Sequence, residues 1–107
     1  MANFMQMMAK AQQMKSRMQD MQERAGQMEL IGEAGSGAVS VHMNGKFDVT
    51  KLTISPETFK AGDVEMVEDL VLAAIRDARA KAEAHMAGET DKIMRELGLP
   101  PGMGLPF

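Results

Sequence analysis

Cationic side chains recur at a fixed spacing in the first 28 residues. When this stretch is written in heptads from Phe4, Lys10, Arg17 and Arg24 all fall at position g, about 10 Å apart along a helix. Lys15 falls at position e, on the other side of the seam. Cations in such positions either pair with the acidic residues of a partner helix or contact a phosphate backbone. On composition alone we favour the pairing, because charges at e and g usually serve it.

The residues between these cations predict the helix that carries them. Positions a and d are apolar through four heptads, the pattern of a helix that packs along a long, narrow surface. They are Phe4, Met7, Ala11, Met14, Met18, Met21, Ala25 and Met28. We expect a helix over residues 4–28. A helix with so narrow an apolar stripe is not stable alone, so we expect it to meet a second chain. Methionine here is expected to pack rather than to bind copper.

Composition excludes several classes of protein. The 107 residues fit one domain, and the absence of cysteine excludes disulfides and thiolate metal sites. No signal peptide or membrane-length apolar run is present, so we expect a soluble, cytoplasmic protein. His42 and His85 have no nearby acid–base partner in the sequence, and Ser36 lacks the strand and helix that a nucleophile elbow requires. We therefore expect no enzyme, no cofactor and no metal.

A change of period after the first helix predicts a small sheet. Residues 28–33 are a candidate first strand, and Gly32, Gly35 and Gly37 interrupt the helical pattern. From Val39 to Met43 apolar and polar residues alternate, which indicates a half-buried strand. The pair Asn44–Gly45 then predicts a type I′ hairpin turn, whose two central residues both need positive φ. The return strand is expected over residues 46–54.

The return strand has an inconsistent phase. Strict alternation would point Phe47 and Val49 to one face of the sheet and Leu52 and Ile54 to the other. Either a bulge lies near Thr50–Lys51, or both faces are apolar and a second subunit covers one of them. We favour the second alternative, since it agrees with the partner that the first helix requires.

The remainder of the chain predicts a short turn, one longer helix and a tail. Ser55, Pro56 and Glu57 have the order of a helix start, and Asp63 is placed to cap a longer amphipathic helix that Gly88 kinks or ends. In that helix Asp77–Lys81 and Arg79–Glu83 are spaced to neutralise each other. Residues 98–107 are rich in Pro and Gly and are expected to be extended and mobile. The predicted fold is a single α+β domain over residues 1–107.

Three runs of sequence resemble a known family. They are GSGAVSVHMNGKFDVTKLTISPE, EDLVLAAIRDARAKAEA and LGLPPGMGLPF, and the Met- and Gln-rich first helix agrees with them. Together they resemble the YbaB/EbfC family of bacterial nucleoid-associated proteins. The resemblance implies an α–β–β–β–α fold with a three-stranded antiparallel sheet, dimerised through the sheets, with the helices projecting as arms. It also implies binding to double-stranded DNA with weak sequence preference.

Charge and resemblance together predict a homodimer in the nucleoid that contacts DNA phosphates through its helical arms. The predicted contact residues are Lys10, Lys15, Arg17, Arg24, Arg76 and Arg79. The predicted dimer interface is Val39, Val41, Phe47, Val49, Leu52 and Ile54. Arg76 departs from the Asn that relatives commonly carry at this position. The alternative is a non-enzymatic scaffold that docks a protein partner through the Met-rich helix. No membrane partner is expected.

Overall fold

A computed structural model of the chain describes residues 2–98, so most of the predicted tail lies outside the described residues. Six elements follow one another. They are α1 (Ala2–Gln27), β1 (Leu30–Ala34), β2 (Val39–Met43), β3 (Val49–Ile54), α2 (Pro56–Lys60) and α3 (Val64–Glu96). The predicted α+β class is confirmed, with a long N-terminal helix, a three-stranded antiparallel sheet and a C-terminal helix.

The core lies between α3 and one face of the sheet. The strands are ordered β1-β2-β3, and α3 packs mainly on β1 and β2. A stripe of alanines spaced four apart lets the helix approach closely, and Gly32 on β1 completes the contact. A Cβ at Gly32 would lie closer than 3.0 Å to the carbonyl oxygen of Ala74 and the amide nitrogen of Ala78. The buried residues of this core are Val39, Val41, Met43, Ala74, Ala78 and Ala82.

A bulge resolves the phase of β3. Met43 pairs with Val49, but the preceding residue His42 pairs with Lys51, which leaves Thr50 as the extra residue. Because one residue is inserted, the apolar residues of β3 all lie on the face that packs against α3. The alternative we favoured, an apolar outer face covered by a second subunit, is wrong. That face is lined mostly by polar residues, namely Glu33, Ser40, His42, Lys51 and Thr53.

The hairpin after β2 forms where predicted, but with a different turn. Neither Asn44 nor Gly45 has positive φ, so the turn is not type I′. The side-chain oxygen of Asn44 instead accepts hydrogen bonds from the backbone N–H groups of Lys46 (2.9 Å) and Asp48 (3.1 Å). Phe47 takes the left-handed conformation, with φ of 69°. The Asn side chain therefore stabilises a longer loop than the sequence pattern predicted.

The predicted helix starts are confirmed. The Ser55 hydroxyl accepts from the Thr58 N–H, and the Asp63 carboxylate accepts from the Met66 N–H at 3.0 Å. The long helix α3 continues through Gly88 and ends at Glu96. Gly88 thus neither ends this helix nor meets a neighbour, since a Cβ built there has no atom within 4 Å in the described structure.

Candidate nucleic-acid interface

Helix α1 packs antiparallel against the C-terminal part of α3. Met18, Met21 and Ile93 form a buried cluster between the two helices, with Met14, Met86 and Leu97 packed around it. The predicted a/d seam is therefore present from Met14 onward, and its partner belongs to the same chain. This half of the seam does not require a second chain. We call α1 together with residues 86–96 of α3 the arm.

The base of the arm is fixed to the sheet through the loop after β2. The carbonyl oxygen of Ala25, near the end of α1, accepts a hydrogen bond from the Gly45 N–H at 2.8 Å. A Cβ at Gly45 would lie 2.8 Å from the Cβ of Ala25, so only glycine permits this approach. This contact holds the end of α1 against the loop after β2.

The tip of the arm, residues 3–11 of α1, extends past the end of α3. The apolar side chains of Phe4, Met5, Met7 and Met8 are all at least half exposed there. Residues 2–19 contain no acidic residue. Lys10 and Lys15 are exposed, and neither has a carboxylate within 4 Å among residues 2–98. This stretch of α1 is the part of the arm whose cations are available to an external anion.

The two arginines of α1 have a different environment. Arg17 pairs with Glu96, and Arg24 lies 3.8 Å from Glu89, both on α3. These are the pairs that the g positions predicted on composition, with the acids supplied by the same chain. The groove between the helices on this side contains more carboxylates than cations. It is lined by Asp20, Glu23, Glu89 and Glu96 against Arg17, Arg24 and Lys92.

Arg76 and Arg79 lie on α3 above the sheet, away from the arm. Arg79 donates to Glu83 at 2.9 Å, and its guanidinium lies 5.4 Å from the centre of the Phe47 ring. Arg76 is exposed and has no ion-pair partner within residues 2–98. The structure thus divides the six predicted contact residues into four on α1 and two on the sheet-covering part of α3.

Two further cations of the arm were not among the predicted contact residues. Lys92 and Arg95 are exposed on the part of α3 that packs against α1. The apolar stripe of Ile93, Met94 and Leu97 is visible in the sequence, but its pairing with the seam of α1 is not. Only knowledge of this pairing between α1 and α3 would have identified Lys92 and Arg95 as residues of the arm.

The predicted dimer residues also fall into two groups. Val39 and Val41 are 0% exposed beneath α3, so their side chains cannot reach a second chain in this conformation. Phe47, Val49 and Leu52 are 39–48% exposed, and Ile54 is half-buried. Because α3 covers β1 and β2 rather than β3, these residues leave an apolar surface beside the helix.

The outer edge of β1 is hydrogen-bonded to side chains of α3. At the β1 edge, the Asp77 carboxylate accepts from the Glu33 N–H at 3.0 Å, and Lys81 donates to the Ile31 carbonyl oxygen at 2.8 Å. Lys81 also pairs with Asp77 at 3.1 Å. The hydrogen bond from Glu33, followed by that from Lys81, lowers the pKa of Asp77. Side chains of α3 thus occupy the outward backbone groups of β1.

The two histidines each face a single glutamate. His42 contacts Glu29, and His85 lies 3.6 Å from Glu89. Among residues 2–98, no group of three or more His, Cys, Asp or Glu side chains is arranged to hold a metal ion. Within the same residues, no helix combines the length and apolar character needed to cross a bilayer.

Comparisons with known sequences agree on one family. The sequence model of the YbaB/EbfC DNA-binding family matches residues 1–97. A nucleoid-associated protein of Mesorhizobium japonicum is 44% identical, and one of Paramagnetospirillum magneticum is 48% identical, each over 107 residues that cover both chains completely. The fold is similar to that of an uncharacterized Helicobacter pylori protein, with a TM-score of 0.70 and 20% identity. That match covers 78% of this chain and 88% of the other.

Proposed function

The chain belongs to the YbaB/EbfC DNA-binding family, and from this premise we propose that it binds double-stranded DNA in the nucleoid as a homodimer, with weak sequence preference. The proposed contacts are ion pairs between DNA phosphates and the cations of the arm. Phosphate contacts orient a protein on the duplex without reading its bases. A protein that relies on them binds many sequences with similar affinity, which suits a role in packaging DNA.

The observation that carries this proposal is the acid-free, exposed first part of α1. Lys10 and Lys15 lie there with no carboxylate within 4 Å in the described chain. A phosphate that approaches them displaces no protein partner, so its full electrostatic attraction contributes to binding. The net charge of −3 does not oppose this, because the surplus acids belong to other parts of the chain.

The other four predicted contact residues have secondary places in the proposal. Arg17 and Arg24 already pair with acids of α3, so a phosphate contact would have to compete with those pairs. Arg24 is the better placed of the two, because its 3.8 Å pair is long. Arg76 and Arg79 lie above the sheet, where they would reach a different part of a bound duplex.

The proposed dimer forms through β3 and the neighbouring side of α3. Phe47, Val49 and Leu52 are apolar and exposed beside α3, on the part of this sheet face that the helix does not cover. On α3, Leu72 is 49% exposed and lies on the same side of the helix as Arg79, which contacts Phe47. The β1 edge is occupied by Asp77 and Lys81, which leaves β3 as the edge open to a second chain.

A second candidate function is docking of a protein partner, and the exposed apolar tip favours it. Phe4, Met5, Met7 and Met8 are exposed neighbours on α1, and adjoining exposed apolar side chains often mark a protein-binding surface. A protein partner would bury this surface and would bind with little dependence on salt. DNA bound through phosphates would dissociate steeply as salt increases.

The experiment that tests the proposal is a titration of random-sequence duplex DNA, followed by fluorescence anisotropy at several salt concentrations. We expect binding at low salt, similar affinity for unrelated sequences, and a linear fall of log affinity with log salt. If the chain fails to bind any duplex at low salt, the proposal is wrong. Binding that salt does not weaken would contradict the phosphate contacts while leaving the family assignment intact.

A further inference from the structure

The first turns of α3 carry a groove with an apolar floor and an acidic rim. The floor consists of Met66, Leu70 and Ala73, and Met66 is 38% exposed. The rim consists of three carboxylates, those of Asp63, Glu65 and Asp69. None of the three lies within 4 Å of a cation among residues 2–98. Residues 61–75 contain no basic residue, so the groove suits an apolar surface that carries positive charge.

The tip of α1 has the complementary character. Phe4, Met8 and Lys15 follow one another at intervals of four and seven residues, so they lie on one face of the helix. The side chain of Phe4 is 67% exposed and that of Met8 is 50% exposed. Residues 2–19 contain no acidic residue, just as the stretch that forms the groove contains no basic one. The two surfaces match in both apolar character and charge.

We propose that the tip of α1 docks in this groove of a second copy of the chain, with the two helices antiparallel. Phe4 and Lys15 are about 16 Å apart along α1, and Ala73 and Asp63 are about 15 Å apart along α3. When Phe4 lies against Ala73, Lys15 therefore reaches the acidic rim near Asp63. The apolar side chains of both helices are then buried together, and the lysine meets carboxylates.

The tip cannot reach the groove of its own chain. Arg17 pairs with Glu96, so α1 and α3 are level there, and the two helices run in opposite directions. From that level the groove lies about 45 Å away along α3, whereas the tip extends about 20 Å the other way. The contact is therefore between copies, and it joins the tip of one molecule to the opposite end of the next. Such a head-to-tail contact continues into an open chain unless its rotation closes a ring.

This inference goes beyond DNA binding, and it uses a surface other than the proposed dimer interface. Leu72, which belongs to that interface, lies about 120° around α3 from Met66. Lys10 lies about 140° around α1 from Lys15, so it stays accessible when the tip is docked. A bound duplex and a second copy compete for Lys15 alone. In dilute protein the tip is free, as the DNA titration requires.

Sedimentation velocity of the full-length chain in the absence of DNA tests the contact. We expect wild type to form species larger than the dimer as its concentration rises, and salt to weaken them. Lys15→Glu or Glu65→Lys places like charges in contact, so each should raise the dissociation constant of this association by about tenfold or more. Asp91→Lys makes the same charge change about 40 Å farther along α3, and this control should associate like wild type. A wild-type chain that stops at the dimer would overturn the proposal and leave DNA binding unaffected.

A mixture of the two charge variants identifies the pair of surfaces. In an equimolar mixture of Lys15→Glu and Glu65→Lys, each tip meets a groove of opposite charge on the other variant. Association should therefore return to about the wild-type level, although each variant alone repels its own copies. Both substitutions alter exposed side chains, and melting curves of each variant check that the fold is intact. If the mixture does not recover, or if Glu65→Lys alone associates like wild type, the tip binds another surface or another protein, and the proposal is wrong.

Discussion

At the scale of single residues, Asp77 and Lys81 close the outer edge of the sheet. They lie one turn apart on α3, and together they bind the outward N–H of Glu33 and the outward carbonyl of Ile31. An unpaired edge strand can recruit further strands and promote aggregation. These two side chains satisfy backbone groups that a neighbouring strand would otherwise use.

The pKa of Asp77 leads to a prediction about pH. It lies below its ordinary value near 3.8, because the carboxylate accepts from Glu33 and then from Lys81 in the folded state. The folded state therefore binds this proton less readily than the unfolded state. The stabilisation is complete above the ordinary pKa and is lost as pH falls through the lowered one. We expect Asp77→Asn to lower the melting temperature at pH 7 and to approach wild type near pH 2.

Thermal melts of both proteins across this pH range check the prediction. The control Glu68→Gln changes an exposed carboxyl of the same helix that has no hydrogen-bond partner in the described structure. It should melt close to wild type at every pH. A constant difference between Asp77→Asn and wild type, independent of pH, would show that the carboxylate's charge is not responsible.

At the scale of elements, two glycines have opposite roles. Gly88 lies inside α3 with nothing near its missing Cβ, so Gly88→Ala should stabilise the helix by about 0.5–1 kcal/mol. Gly32 meets the backbone of α3, so Gly32→Ala should separate helix and sheet and cost about 1–3 kcal/mol or more. Urea unfolding curves of the two variants measure both effects. Two shifts of the same sign would contradict the packing described for α3.

The elements themselves were largely predictable, because their apolar periods are local. The seam from Met14 to Met28 and the caps at Ser55 and Asp63 were predicted from residues close in sequence. The bulge at Thr50 was predicted wrongly, because a bulge and a two-faced strand both fit the same pattern and we favoured the two-faced strand. Asn44 is identifiable as a turn residue, but its side-chain hydrogen bonds depend on a loop length that alternation does not specify.

The candidate site was less predictable, because contacts between distant segments decide which of its cations are paired with acids and which are available. Arg17 and Arg24 meet Glu96 and Glu89 only because α1 and α3 pack antiparallel in one register. Their heptad position does not distinguish them from Lys10, which has no acid near it in the described chain. That register also separates the available lysines from the paired arginines.

At the scale of the whole molecule, the dimer proposed through β3 leads to a third prediction. Val49 is 48% exposed in the single chain, so Val49→Asp should leave the fold intact. In a dimer the variant would bury its new carboxylate in an apolar interface. This should weaken association by about 3 kcal/mol, which raises the dissociation constant about a hundredfold. We expect sedimentation to show a folded monomer. Thr53→Asp, on the outer face of the same strand, should remain dimeric.

Two outcomes would contradict this interface. If wild type sediments as a monomer at micromolar concentration, the dimer itself is wrong. If Val49→Asp remains as dimeric as wild type, the dimer forms through another surface.

DNA binding by the assembled molecule provides the last prediction, which compares two double variants. Lys10→Ala with Lys15→Ala removes available cations, so the slope of log affinity against log salt should fall by about 0.9 for each phosphate that is no longer neutralised. The melting temperature should stay unchanged, since neither lysine has an ion-pair partner in the described chain.

Arg17→Ala with Arg24→Ala breaks two pairs within the arm, so it should lower stability by about 0–1 kcal/mol per pair. Its effect on the salt slope should be smaller than that of the lysine variant. Lys60→Ala, on α2 and outside the arm, is the control for removal of charge alone. If the lysine variant keeps the full wild-type slope while the slope of the arginine variant falls, the phosphates bind on the arginine side of the arm, and the assignment of Lys10 and Lys15 is wrong.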